Sequence, residues 1–313
     1  MLTRRHLRIK TMQALYVYVQ SDLSDAELGV RQLEKSIGEI HHLYLYELRI
    51  FWHFRHFMEE RLELEPNKQF ANSARQAQLK HFLNLPFLTQ ITSDDAIIKA
   101  WEQHGIHWGD SVEVLRSLFF KYWTQWSDTP FWTSSELQTA EAQISHMRLF
   151  YRDFLANEEL LHQLYEALNI HWSDDLDAAQ MMAVQTMQNA RKNQSVMVSL
   201  YRDKKDSEFA RDLYLHTLRH AQEWQDRMVS KAKQWDFDRM APVDRTIVQM
   251  ALSEIVAFAE IPIKVSIDEA IEVAKQYGSP KAGSFVNGLL DALVEDLKAE
   301  GRIQKLGRGL IGA

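Results

Sequence analysis

Basic residues are concentrated in the first ten positions of the chain. They are Arg4, Arg5, Arg8 and Lys10, and no acidic residue lies among them. Guanidinium and ammonium groups bind phosphate oxygens, and on a helix Arg4 and Arg8 are one turn apart. Tyr16 follows about two helical turns after Arg8, and an aromatic ring can stack on an unpaired base. The pattern indicates binding to RNA, while a solvated basic helix face is the alternative interpretation of the same charges.

The net charge is unevenly distributed along the 313 residues. Residues 1–21 carry +4 and residues 298–313 carry +3, whereas residues 22–297 carry −14, which gives the total of −7. Basic ends on an acidic body are typical of a protein with an anionic partner. The last segment, residues 301–313, is rich in glycine, and we expect a basic flexible tail there.

The chain lacks the residue patterns of the common catalytic sites. It has no cysteine, which excludes disulfides, cysteine–zinc sites and thiol catalysis. No phosphate-binding loop, G-x-S-x-G or H-E-x-x-H sequence occurs, and no glycine-rich dinucleotide motif stands between a predicted strand and a helix. Histidine pairs at helical spacing, His53/His56 and His216/His220, are a chance feature of a chain with 13 histidines. We therefore predict a protein that is not an enzyme and uses no metal and no cofactor.

The sequence also gives no sign of a membrane partner. No apolar run approaches the roughly 20 residues that a membrane-spanning helix needs. The N-terminus has charge but no apolar core of the kind found in secretory signals. We expect a cytoplasmic protein.

Apolar residues recur with helical spacing along almost the whole chain. Met12, Leu15 and Val19, for example, lie on one stripe of an amphipathic helix. The 11 glycines and 6 prolines form few turn clusters, which argues against a β-sandwich or a barrel. The sequence therefore predicts an all-α fold.

The most readable helical signals lie between residues 242 and 297. Pro242 suits the first turn of a helix, and Ser266 and Glu269 match an S-x-x-E capping box. Gly288 falls inside the last predicted helix, where glycine costs about 1 kcal/mol relative to alanine. Close packing of a neighbouring helix is the favoured explanation for Gly288, and a functional role is the alternative.

The motifs near the two ends of the chain resemble those of the NusB family of transcription antitermination factors. Residues 261–275 are similar to the family's P-x-K-V-x-I-x-E-A-I-E-x-A-K signature, and residues 285–291 to its F-V-N-G-V-L-D motif. Further matching segments are residues 4–8, 12–16, 208–213 and 244–255. Because several separate motifs occur in the family's order, the resemblance is specific.

The resemblance implies the organisation of the chain. It implies an all-α, NusB-like pair of packed helical bundles with an extended helical insertion. Residues 1–22 plus 205–300 would form a discontinuous RNA-binding domain, and residues 23–204 the insertion, of unknown role. Residues 301–313 are the predicted tail.

The resemblance also implies a function. In this family, boxA RNA of nascent ribosomal RNA transcripts is bound together with the ribosomal protein NusE, as part of an RNA polymerase antitermination complex. The expected RNA-binding residues are Arg4, Arg5, Arg8, Gln13, Tyr16, Lys281, Ser284 and Asn287, and the basic pattern adds Lys10. Asp244, which opens the family's fourth helix, is the expected NusE contact. Lys281 stands where some family members have an acidic residue.

Two other functions fit parts of the sequence. The insertion is rich in aromatic residues and could make the chain a helical protein-interaction scaffold that recruits a partner, with residual RNA binding. NusB-like domains also precede ribosomal RNA cytosine methyltransferase domains, but that activity needs a catalytic cysteine, and the chain has none. Neutralising Arg4, Arg5 and Arg8 distinguishes the two functions. Loss of RNA binding with the fold retained would support the RNA-binding function, and unchanged function would support the scaffold.

Overall fold

The computed structural model describes residues 1–21, 24–65, 73–129, 139–190, 195–231 and 240–311. Across these ranges the chain forms helices and no strand, which confirms the predicted all-α fold. The first seven helices are α1 (Arg4–Gln20), α2 (Ala26–Leu64), α3 (Ser73–Leu83), α4 (Pro86–Ser93), α5 (Asp95–Gln103), α6 (Val112–Trp126) and α7 (Ala140–Phe150). The next seven are α8 (Glu159–Leu168), α9 (Leu176–Asn189), α10 (Lys204–Arg219), α11 (Ala221–Lys231), α12 (Pro242–Ala257), α13 (Ile263–Tyr277) and α14 (Ala282–Ala299).

The contacts divide the chain into two compact units. Unit I comprises Met1 and Gly38–Leu200, and unit II comprises Leu2–Ile37 and Tyr201–Ala313. The long helix α2 contributes its first part to unit II and the remainder to unit I. The domain boundaries implied by the family resemblance stay a prediction.

Unit I has an aromatic core around the second part of α2. The ring of Phe54 lies 4.4 Å from that of Phe119 on α6, and Trp126 lies 4.4 Å from Phe150 on α7. Glu47 is buried in the same unit and accepts a hydrogen bond from the Tyr151 hydroxyl at 2.9 Å. Burial raises the pKa of Glu47 to about 7 because the charged carboxylate loses its hydration there.

Unit II is arranged around α12. This helix packs against α1, α10, α11, α13 and α14, and ten of its sixteen residues are buried. A helix that is buried on nearly every side belongs to the centre of a bundle. Its start at Pro242 agrees with the sequence, because proline fits the first helical turn, where its missing N–H is not needed.

Two helix features in unit II differ from the sequence predictions. The capping box predicted at Ser266 and Glu269 is wrong, because α13 already begins at Ile263, with Pro262 as its N-cap. Close packing at Gly288 is also wrong, since a Cβ added there would meet no atom within 4 Å. Both residues of the supposed capping box instead interact with other helices.

The C-terminal segment makes specific contacts as far as the structure describes it. Lys305 Nζ donates to the carbonyl of Phe258 at 3.0 Å, and the Leu306 N–H donates to the carbonyl of Ala259 at 3.0 Å. These contacts attach the segment to the end of α12, which its glycine-rich composition did not predict. In the described part of the chain, no helix is long and apolar enough to cross a membrane.

Candidate nucleic-acid interface

Helix α1 carries most of the predicted RNA-binding residues. It begins after Thr3, whose side chain accepts from the His6 N–H, while the His6 ring accepts from the Thr3 N–H. The side chain of Arg5 is 49% exposed near the start of the helix, and Tyr16 is 37% exposed towards its end. Gln13 is partly buried. The exposed basic and aromatic groups therefore stand near opposite ends of α1.

Arg5 is paired with a carboxylate from α13. Its Nε and Nη2 atoms donate to the two carboxylate oxygens of Glu269 at 2.9 and 2.8 Å. These hydrogen bonds lower the pKa of Glu269 and raise that of Arg5, because each favours the charged form of its partner. Both residues are accessible to solvent, with 19% of the Glu269 side chain exposed.

Arg8 is paired with Glu254 of α12, in the interior of unit II. Its Nε and Nη2 atoms donate to the Glu254 carboxylate at 2.6 and 2.8 Å, and the Ser266 hydroxyl donates to the same carboxylate at 2.6 Å. Only 6% of the Arg8 side chain and 3% of the Glu254 side chain are exposed. Arg8 therefore joins α1 to α12 and α13. Lys10 is also buried.

Arg4 contacts two residues of α10, Asp206 and Phe209. Its Nε donates to Asp206 at 3.0 Å, and its guanidinium carbon lies 5.0 Å from the ring centroid of Phe209. Asp206 is buried and also accepts from Arg202. A cation above an aromatic ring is attracted by the electron-rich ring face, so Phe209 further stabilises the position of the Arg4 side chain. Each of the three arginines of α1 thus has a carboxylate partner.

The remaining predicted RNA contacts lie on the first turns of α14. Lys281 and Ser284 are exposed, and Asn287 is half-buried. Lys281 has φ of 72°, a left-handed conformation that is uncommon outside glycine and ends the turn before α14. Helix α13 lies between this group and Arg5, since its Glu269 meets Arg5 and its Lys275 Cγ would lie 3.1 Å from a Cβ at Gly283.

Asp244, the predicted contact of a partner protein, lies in the interior of unit II. It is buried, and its two oxygens accept from the Ser279 N–H at 3.2 Å and the Ser279 hydroxyl at 2.6 Å. Gly278 is packed so closely that a Cβ there would lie 2.6 Å from Asp244. In this arrangement Asp244 fixes the turn between α13 and α14.

Comparisons with known proteins agree with the motifs between residues 208 and 291. The family model described as the NusB family matches residues 175–295. A protein of Salinibacter ruber named transcription antitermination protein NusB is 44% identical over 117 residues, which are 37% of this chain and 73% of that protein. The chain belongs to the NusB family. A protein of the same name from Chloroherpeton thalassium is 36% identical over 109 residues, 35% of this chain and 52% of that protein. No solved structure matches the chain.

The residues that sequence reasoning missed in this NusB-family chain are the acidic partners of the arginines. Asp206, Glu254 and Glu269 lie on three different helices, far from α1 in the sequence. One signal was available, because Glu254 interrupts a run of apolar residues in α12. A carboxylate at such a position needs a buried cation, and Arg8 supplies it.

The accessible groups of this surface are of the kinds that bind a nucleic acid. Arg5, Lys281 and Tyr16 offer cationic and aromatic groups at the surface. Among the residues that the structure describes, no group of three histidine or acidic side chains is arranged to hold a metal ion. The arrangement can bind phosphates through guanidinium and ammonium groups and can stack a base on Tyr16.

Proposed function

We propose that this NusB-family chain is a non-catalytic transcription antitermination factor that binds boxA RNA of nascent ribosomal RNA transcripts. It would act with the ribosomal protein NusE and reach RNA polymerase only through the antitermination complex. The observation that carries the proposal is that this family member has exposed basic and aromatic groups, Arg5 and Tyr16, on α1. Helix α1 lies outside the residues that the family model matches, so its place in the family rests on the sequence resemblance of residues 4–8 and 12–16.

The exposure of the side chains suggests two roles within the proposed surface. Arg5, Tyr16, Lys281 and Ser284 are accessible and would contact RNA directly, with Arg4, Gln13 and Asn287 at the margin. Because Arg8 and Lys10 are buried, they would support RNA binding by holding α1 in place. Such residues fix the position of the contacting groups without touching the RNA themselves.

The test is fluorescence anisotropy with labelled boxA RNA and a scrambled RNA, with and without NusE, at two salt concentrations. We expect boxA to bind more tightly than the scrambled RNA, NusE to strengthen binding, and added salt to weaken it. Arg5→Gln should weaken binding. Arg31→Gln is the matched control, because it removes the same charge from an exposed arginine of α2 in unit II.

The outcome that contradicts this proposal is the absence of any boxA preference when NusE is present. The interaction scaffold would then be favoured, and one feature of unit I supports it. Leu160 and Leu168, about two turns apart on α8, are exposed, as is the following Ile170. These exposed apolar side chains are the candidates in unit I for a surface that binds another protein.

A further inference from the structure

The three arginines of α1 differ in how far their carboxylate partners can be reached from solvent. Arg8 and Glu254 are both buried, and Arg4 is paired with the buried Asp206. In the Arg5–Glu269 pair both side chains are accessible. Of these three pairs, it is therefore the one that an incoming anion can open without disturbing the interior of unit II.

The geometry of the pair resembles the binding of a phosphate. Arg5 presents Nε and Nη2 side by side to the two oxygens of Glu269, at 2.9 and 2.8 Å. Arginine uses the same parallel pair of donors for two oxygens of a phosphate. A carboxylate and an RNA phosphate therefore compete for the same atoms of Arg5.

We propose that Glu269 lowers the RNA affinity of this surface. Its carboxylate pairs with Arg5 in the way a phosphate would, and an RNA phosphate must displace it. The inference rests on the proposed RNA-binding function. An RNA phosphate can replace the Glu269 carboxylate on Arg5, because an exposed ion pair of this kind favours the paired state by only about fivefold or less. After displacement Glu269 keeps a cationic neighbour, since its Oε2 lies 3.6 Å from Arg8 Nη1. A single free anion gains little binding energy from such an exchange. RNA gains more, because it can engage Tyr16 and Lys281 at the same time.

The test compares Glu269→Gln with Glu272→Gln in the full chain. Both changes remove one negative charge from α13, but the Glu272 carboxylate accepts from Lys275 at 2.7 Å and acts on Arg5 only through its electric field. Binding of boxA RNA and of a scrambled single-stranded RNA is measured by anisotropy at four salt concentrations, and folding by circular dichroism.

We expect Glu269→Gln to tighten binding of both RNAs by about fivefold and Glu272→Gln to change it by less than about twofold. The salt dependence should also become steeper. Without the Glu269 carboxylate, Arg5 meets the RNA phosphate as an uncompensated cation, so the slope of log K against log salt should become more negative. Arg5→Gln should abolish the gain from Glu269→Gln in a double variant.

Equal tightening by both single variants, or unchanged or weaker binding by folded Glu269→Gln, would overturn the proposal. Failure of the antitermination function gives a different pattern. In that case boxA and scrambled RNA bind equally well, yet Glu269→Gln still tightens both. If no variant binds either RNA, both proposals are wrong.

Discussion

Replacing Arg8 by methionine tests the role of the buried ion pair in unit II. Methionine keeps most of the length of the side chain but removes the charge and the donors. The Glu254 carboxylate then loses two hydrogen bonds, of 2.6 and 2.8 Å, and keeps the one from Ser266. Since Glu254 remains buried, its charge would be poorly compensated.

The magnitude follows from these contacts. Removing one partner of a buried ion pair costs about 3–5 kcal/mol, and two hydrogen bonds to a charged group give a similar sum. We expect Arg8→Met to lower the free energy of unfolding of unit II by about 4 kcal/mol. Arg5→Met is the control, and it should cost less than about 1 kcal/mol because the Arg5–Glu269 pair is exposed.

Hydrogen exchange measured by mass spectrometry over a urea series reports the unfolding of each unit separately. This matters because one midpoint does not describe a chain with two units. Arg8→Met together with Glu254→Leu should recover at least about 2 kcal/mol, since no buried charge is left unpaired. If Arg8→Met and Arg5→Met cost the same, or the double variant recovers nothing, the buried pair does not stabilise the fold as argued.

Three further predictions concern other parts of the chain. Gly29→Ala should lower the stability of unit II by about 1–3 kcal/mol, because its Cβ would overlap the buried Tyr214 ring. Gly38→Ala lies in the part of the same helix that belongs to unit I and has open space, so the urea midpoint of unit I should rise with Gly38→Ala while that of unit II falls with Gly29→Ala. Glu47→Gln should stabilise unit I by about 3 kcal/mol at pH 8 and hardly at all near pH 4.5. The reason is that the raised pKa of about 7 makes the unaltered fold lose stability as the pH rises from 4.5 through 7, and a pH-independent difference in urea unfolding would refute this. Gly288→Ala should raise the thermal midpoint, with a gain of up to about 1 kcal/mol, because nothing lies within 4 Å of the new Cβ; a lower midpoint would mean that the helix backbone needs glycine there.

The sequence predicted those features of unit II that depend on neighbouring residues. Helix α12 begins at Pro242, and α14 extends over the predicted segment, because proline geometry and apolar periodicity act within a few residues. The family motifs between residues 208 and 291 identified the same region, and the family model covers them. Local chemistry was therefore enough to find α12 and α14.

The same reasoning failed where a side chain has a distant partner. Ser266 and Glu269 have the spacing of a capping box, yet they bind Glu254 and Arg5. Arg8 belongs to a basic run and was predicted to contact RNA, yet it is buried beside a carboxylate 246 positions away. Spacing along a helix does not reveal which partner the fold brings close.

Charge counted along the sequence consequently overstates the electrostatic attraction of α1 for RNA. The first 21 residues carry +4, but Asp206, Glu254 and Glu269 each bind one of the three arginines. A neutralised arginine contributes little to the long-range field that attracts RNA. In the proposed function, RNA affinity would then come from base stacking, from the proposed exchange at Arg5 and from contacts supplied by a second protein. If the proposed function is right, such a surface would bind RNA weakly alone and more strongly in an assembly, as the proposed action together with NusE requires.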